Sequence, residues 1–367
     1  MEENLGELHN LLKVWLSVAI SLTYCYTVAR FIPKGLPRLL SVLPIVALFF
    51  FLPLKLTSVH LGGSSSFFIA WLANFKLLLF AFGKGPLCSD PDISLLRFLT
   101  VACLPIKIQQ PHNPRPAPKA PHQNGDAGKV HGPSKPPRKG HKSIFNYAAK
   151  MVLFAAMLKC YDYREVLPEK VIWFLYGFHI YFLLEIILAT VAYVARVLLG
   201  LELEPQFNEP YLSTSLQDFW GRRWNIMVTS ILRPTVYEPI LGLSTRIVGR
   251  RLAPLPAVMG TFVVSALMHE LIFYYLGRTP PTWEVTWFFL FHGLCLMVEI
   301  ALKKQLRVTT GPPRAVASLL TVGFVMVTAF WWFLPPMLRF RADERAFEEY
   351  AAIAAYAKGV GGKIFNA

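Results

Sequence analysis

Long apolar runs, separated by short turns that carry basic residues or prolines, set the rhythm of the chain. Leu11–Ala29, Leu39–Thr57, Phe67–Phe82, Ile144–Lys159, Val171–Leu199, Ala253–Leu276, Trp283–Leu302 and Ala315–Pro335 are such runs. Most approach or exceed the roughly 20 residues that carry a helix across a bilayer. Ile93–Pro105 is apolar but too short to cross, so an interfacial or re-entrant piece is expected there. The pattern predicts an all-α, polytopic membrane protein of about eight or nine transmembrane helices. Re-entrant or interfacial helices complete the walls of an intramembrane cavity. His60–Ser66 reads as a Gly/Ser turn between spans, and Lys76, inside the third run, as a lysine that snorkels to the headgroups.

Two segments break this rhythm. Lys107–Lys142 is rich in Pro, Gly, Lys, Arg and His, with Asp126 its sole acid, and has nothing apolar to bury. It reads as a disordered cytosolic tether rather than a lipid-binding element. The second is Leu203–Arg233, LEPQFNEPYLSTSLQDFWGRRWNIMVTSILR, polar for its surroundings and dense in Trp, Arg and Asn. The expected division is residues 1–106 as N-terminal spans, 107–143 as the basic loop, 144–336 as a catalytic membrane domain and 337–367 as a tail.

Composition agrees with the pattern. The chain is 54% hydrophobic and 16% charged, with a mean hydropathy of +0.43, against about 25% charged residues in soluble domains. The net charge of +15 would suit nucleic acid if it were clustered on a soluble surface. Here the basic residues sit between apolar runs, as the positive-inside bias requires, so no nucleic-acid partner is expected. The acidic start, Met1 to Glu7, is unlike a secretory leader and predicts a retained first span with its N-terminus outside the cytosol. Alternation then places the Arg30–Arg38 turn in the cytosol and the tail outside it, although Arg339, Arg341 and Arg345 run against the bias. The five cysteines are scattered without metal-ligand or disulfide spacing, so neither a metal site nor a crosslinked framework is expected.

The polar stretch carries the first candidate chemistry. Ser215 stands three residues before Asp218, a capping-box start. At 100° per residue, Leu216, Trp220, Trp224, Met227 and Ile231 share one face, and Arg222, Asn225, Thr229 and Arg233 share the other. One amphipathic helix lying at the cytosolic interface is therefore expected. The second candidate is His269, an ionisable group inside a span, preceded at four-residue spacing by Thr261 and Ser265. His292, with Cys295 and Glu299, forms a comparable stripe on the next span, and His179 lies in another; the residues alone leave the three histidines unranked. The chain lacks HExxH, a GxSxG elbow and a P-loop. It also lacks the HHxxxDG and HxxxxD signatures of other acyltransferases.

Three segments nonetheless resemble a known family: EPQFNEPYL from Glu204, SLQDFWGRRWN from Ser215, and MHELIFYY from Met268. Together with WLANFKLLLF from Trp71 and the Arg30–Arg38 turn, they are similar to the plant wax synthase branch of the membrane-bound O-acyltransferase superfamily, over nearly the whole chain apart from the basic loop. The resemblance implies transfer of an acyl group from acyl-CoA, as co-substrate, to a lipid alcohol, with no other cofactor and no metal. A long-chain fatty alcohol is the first expectation; a sterol or diacylglycerol is the alternative within the family, and a lipid transporter the alternative of another class. The resemblance places the active-site pair at Asn225 and His269, with His269 as general base and Asn225 as amide donor. Arg222, Arg223 and Arg233 are then expected to meet the CoA phosphates, and Trp220, Trp224 and Ser265 to line the substrate path. It also implies a multi-pass protein of the endoplasmic reticulum, in contact with membrane lipids; the oligomeric state is not implied.

Overall fold

The structure, a computed structural model, describes residues 2–90, 92–105, 144–200, 206–306 and 312–365. The expected basic tether and the opening residues of the polar stretch, Leu203–Pro205, lie outside these. The described residues are helices joined by turns. α1 (Glu2–Val28) and α2 (Leu36–Phe51) form the first hairpin. In its turn, Arg38 is buried and donates to the carbonyls of Ala29 and Ile32, closing the end of α1. The next span is continuous: α3 (Val59–Ser66), a π-helical stretch (Phe67–Ala73) and α4 (Asn74–Ala81). The Gly/Ser segment expected to turn is thus the start of a helix. Ser58 caps it by accepting from the Leu61 N–H, and Gly62 and Gly63 let it lie against Leu56 and Leu276.

α5 (Leu95–Cys103) is the short apolar piece, with Phe98, Val101 and Ala102 fully buried and the Phe98 ring packed on Tyr26 of α1 and Phe80 of α4. Lys76 explains where it ends. Its side chain is fully buried, and its ammonium donates to the carbonyls of Val101 and Leu104, 2.6 Å each. Lysine therefore does not snorkel; it satisfies carbonyls that the last turn of a helix leaves open. Both carbonyls are thereby satisfied inside the protein rather than left without a partner.

α6 (Ile144–Cys160) and α7 (Glu169–Leu199) follow the loop. The described residues 144–186 belong to a compact unit of their own. Inside it Lys150 and Glu185 make an ion pair of 2.6 Å, each side chain 6% exposed, with the Tyr181 hydroxyl beside the ammonium. The remaining elements are α8 (Leu216–Asp218), α9 (Ile226–Leu232), α10 (Glu238–Leu252), α11 (Pro254–Gly277), α12 (Glu284–Leu306), α13 (Arg314–Trp332), α14 (Leu334–Arg339) and α15 (Ala342–Phe365). Among the described residues seven helical segments are long and apolar enough to cross a membrane; α6, at 17 residues, is slightly shorter than those.

Several chain segments meet at one end of the larger unit. Glu7 accepts from the Thr57 and Ser58 N–H groups. Arg345 donates to the carbonyls of Leu276 and Thr57, and Glu349 accepts from Ser58, Val59 and His60. The start of α1, the start of α3, the end of α11 and the tail helix α15 therefore share a level, as the expected alternation requires. The arginines that oppose the charge bias are used internally: Arg345 on these carbonyls, Arg339 on Glu284.

Candidate active site

The polar stretch begins as its sequence suggests. Ser215 Oγ accepts from the Asp218 N–H (3.2 Å), the forward bond of a capping box, while Asp218 Oδ2 accepts from the N–H of Thr214 (3.3 Å), one residue before the cap. It does not continue as one amphipathic helix. After α8 come a π-helical turn, Phe219–Arg223, an extended Trp224 (φ −91°, ψ 125°) and a left-handed Asn225 (φ 39°, ψ 65°). The preceding loop laces this break, with Asn208 N–H on the Arg223 carbonyl (2.9 Å) and Ile226 N–H on the Gln206 carbonyl (2.8 Å). Asparagine is among the few side chains that accept this backbone conformation readily. Its Oδ1 also accepts from the Val228 N–H at 3.3 Å and caps α9. The common polar face expected of Arg222, Asn225, Thr229 and Arg233 is therefore absent, because the helix axis is interrupted between them.

α12 sets the depth of this segment. Glu299 accepts from the N–H groups of Leu216 (2.9 Å) and Gln217 (3.4 Å). Seven residues earlier on α12, about 10 Å along its axis, His292 Nδ1 accepts from the Trp220 indole N–H at 3.1 Å. The segment thus descends into the bundle instead of lying at its interface. Trp220 ends among Phe262, Phe288 and Phe289, with ring centroids 5.6 to 6.3 Å away.

His269 reaches the same place from α11. Its Nδ1 lies 2.7 Å from the Ser265 carbonyl oxygen, which can only accept, so Nδ1 carries the proton and Nε2 keeps its lone pair. Among the described residues nothing bonds Nε2, and the residue is only partly buried. Phe289 lies against the imidazole at 4.3 Å, with Trp71 edge-on at 5.1 Å and Phe333 at 6.1 Å. Phe289 therefore touches both His269 and Trp220. Below it Met268, Val228, Leu232 and Trp71 pack α11, α9 and the π-helical stretch into one apolar cluster. The helix that Asn225 caps therefore packs through Val228 and Leu232 on Met268, the neighbour of His269 in the chain, and among the described residues no hydrogen bond joins Asn225 to His269.

The other candidates separate by their bonds. His292 is fully buried with both nitrogens engaged, Nδ1 by Trp220 and Nε2 by Thr328 Oγ1 at 2.7 Å. His179 is buried near the Phe154 and Tyr161 rings in the separate unit that holds residues 144–186. Arg223 is engaged, by Asp218 (2.7 Å) and by the carbonyls of Asn208 and Glu209, and so braces the break. Arg222 is exposed with no partner among the described residues, and Arg233 is exposed and meets only Glu238 at 3.4 Å. Trp224 stacks on Phe219 (5.4 Å, 14°) and Ser265 contributes its carbonyl to His269. Glu270, buried beside the histidine, accepts from the Thr286 N–H and hydroxyl, 3.0 Å each, and fastens α12 to α11. The neighbours Trp71, Phe289 and Phe333 were not foreseen, since an aromatic residue in an apolar run carries no mark of which helix it will face.

Residues 203–291 match the family model described as the membrane bound O-acyl transferase family. The chain is also 50% identical, over 96% of its length and 97% of the relative's, to Acyl-CoA–sterol O-acyltransferase 1 of Arabidopsis thaliana. The chain belongs to the membrane-bound O-acyl transferase family. This multi-pass membrane O-acyltransferase is 46% identical to the long-chain-alcohol O-fatty-acyltransferase of Simmondsia chinensis, over 95% of the chain and 96% of that protein. It is 45% identical to the probable long-chain-alcohol O-fatty-acyltransferase 1 of Arabidopsis thaliana, over 98% of both chains. The family match contains Trp220, Asn225, Ser265 and His269, and ends one residue before His292. The resemblance expected of the chain holds, and the transporter reading falls.

Proposed function

We propose that this acyltransferase moves a fatty acyl group from acyl-CoA to the hydroxyl of a long-chain alcohol, giving a wax ester in the endoplasmic reticulum membrane. The observation that carries the chemistry is His269: its Nδ1–H is held by the Ser265 carbonyl and its Nε2 has no hydrogen-bond partner among the described residues. Nε2 takes the proton of the acceptor hydroxyl as its oxygen attacks the thioester carbonyl carbon. The Asn225 amide N–H₂, which bonds nothing among the described residues, donates to the developing oxyanion. Collapse of the tetrahedral intermediate breaks the C–S bond, and the CoA thiolate takes the proton from the imidazolium. Apolar walls keep water from the thioester. The CoA headgroup stays at the cytosolic end, where Arg222 and Arg233 are exposed to meet its phosphates.

The long-chain alcohol is the first reading because two of the relatives above carry that acceptor in their names. A sterol acceptor is the second reading, favoured by the 50% identity to a protein named as a sterol acyltransferase. Microsomes bearing the protein, given radiolabelled acyl-CoA and a panel of long-chain alcohols, sterols and diacylglycerol, decide between them. Long-chain alcohols should be esterified fastest, and His269→Ala should abolish the reaction at unchanged expression. Ester formation by His269→Ala would refute the mechanism, and preferential sterol esterification the choice of acceptor.

A further inference from the structure

Outside the reacting pair, one hydrogen-bonded chain runs through the apolar interior and ends at the active segment. The Trp220 indole N–H donates to His292 Nδ1 at 3.1 Å, and His292 Nε2–H donates to Thr328 Oγ1 at 2.7 Å. The Thr328 hydroxyl in turn donates to the carbonyls of Phe324 (2.8 Å) and Val325 (3.0 Å) on its own helix. The direction of the chain is forced. An indole nitrogen only donates, so Nδ1 must hold a lone pair and Nε2 must carry the hydrogen that Thr328 accepts. His292 is 0% exposed and Thr328 4% exposed, so water does not replace either contact.

Trp220 is fixed at both of its ends. Its carbonyl accepts from Thr229 Oγ1 at 3.3 Å, on the helix that Asn225 caps, and its ring meets Phe289, which lies on His269. We propose that His292 is a positioning residue of the acyl-transfer site: by holding the Trp220 indole on α12, it sets the Asn225 cap and the His269 ring in reacting register. This rests on the reading of Asn225 and His269 as the reacting pair. His292 never meets substrate; it acts through Trp220, and Thr328 fixes the tautomer in which it does so.

The test combines turnover with hydrogen–deuterium exchange on the full-length protein in detergent. His292→Leu keeps the bulk and loses the acceptor, whereas His292→Asn keeps an amide oxygen near the Nδ1 position. Small misplacements at a reacting centre cost on the order of tenfold to a hundredfold. His292→Leu should therefore lose at least about tenfold in kcat, with KM for acyl-CoA within about twofold, and His292→Asn should recover most of that loss. Trp220→Phe should cost as much as His292→Leu, and the double variant little more than either, because both remove one link. Exchange in His292→Leu should rise over residues 216–232 and stay unchanged in α1 and α2, a readout that needs no activity.

Additive losses in the double variant would overturn the proposal. So would a Trp220→Phe variant of full turnover, a Leu variant as active as the Asn variant, or exchange that rises uniformly. Should the wild type esterify no acceptor, the acyl-transfer reading fails, while the exchange arm still decides whether His292 holds this segment.

Discussion

The two ends of the Asn225 amide have different tasks, and substitutions separate them. Oδ1 caps α9 through the Val228 N–H, while the backbone sits in the left-handed region at φ 39°. Asn225→Ala removes the cap, worth about 1 kcal/mol, and strains the backbone as well, so its loss of activity would be ambiguous. Asn225→Asp keeps an oxygen acceptor at a helix N-terminus that welcomes negative charge, and replaces the N–H₂ donor with a charged oxygen that cannot donate. The expected result is a folded protein, by thermal unfolding, whose kcat falls by about 10² to 10³, the usual cost of one oxyanion donor. Turnover within a few-fold of wild type would show that the amide N–H₂ is not that donor. At this scale the sequence was legible where residue type is itself unusual, as for an asparagine or histidine among apolar neighbours. It was misleading for Lys76, whose charge suggested headgroups, and silent on the bonds of Arg223. Their partners are backbone carbonyls and an aspartate brought close by folding, and sequence distance does not reveal such bonds.

Helices were easier to foresee than their breaks. Hydropathy marks a span because each of its residues contributes to the same average, so the membrane helices stand near where the apolar runs predicted them. The interruption at Trp224–Asn225 depends instead on the backbone bonds of Gln206 and Asn208, and the 100° pattern reads the same whether or not the axis is cut. The three π-helical stretches were equally hidden, yet Trp71 lies in one, Trp220 in the second, and the third, Arg233–Tyr237, follows α9 directly. Such turns re-aim side chains within a helix and recur at functional sites. The site also needs α11 and α12 close together. A Cβ on Gly293 would stand 3.0 Å from Phe262 Cβ and Cγ and 3.3 Å from Met259 Sδ, and Phe262 packs on Trp220. Gly293→Val should therefore destabilise the protein by about 1–3 kcal/mol, the usual cost of overpacking, and lower turnover with it. A melting temperature equal to wild type would show that the helices have room to part.

At the scale of the whole molecule, the tail helix α15 is joined to the start of α3 by polar contacts at the end of the larger unit away from the basic turns. Glu349 accepts from the Ser58 hydroxyl (2.9 Å), the N–H groups of Val59 (2.6 Å) and His60 (3.1 Å), and the His60 ring (2.6 Å), whose other nitrogen meets the Tyr350 hydroxyl. Arg345 and Glu7 also bond this end of the chain, and Arg278 donates to the carbonyls of Pro53 and Leu56. Burial alone would raise the Glu349 pKa, but the hydrogen bonds from the His60 ring and the two amides outweigh it and hold the carboxyl below its ordinary range. A depressed carboxyl contributes stability that is fully present above the unfolded-state pKa, about 4.3 for glutamate, and is lost as the pH falls through the folded value. Limited proteolysis of the purified protein should thus leave α15 protected at neutral pH and release it as the pH is lowered past about 4. Glu349→Gln, which cannot carry the charge, should release α15 at neutral pH and abolish the pH dependence. Equal protection of the variant and the wild type at neutral pH would show that apolar packing, not this carboxylate, holds the tail.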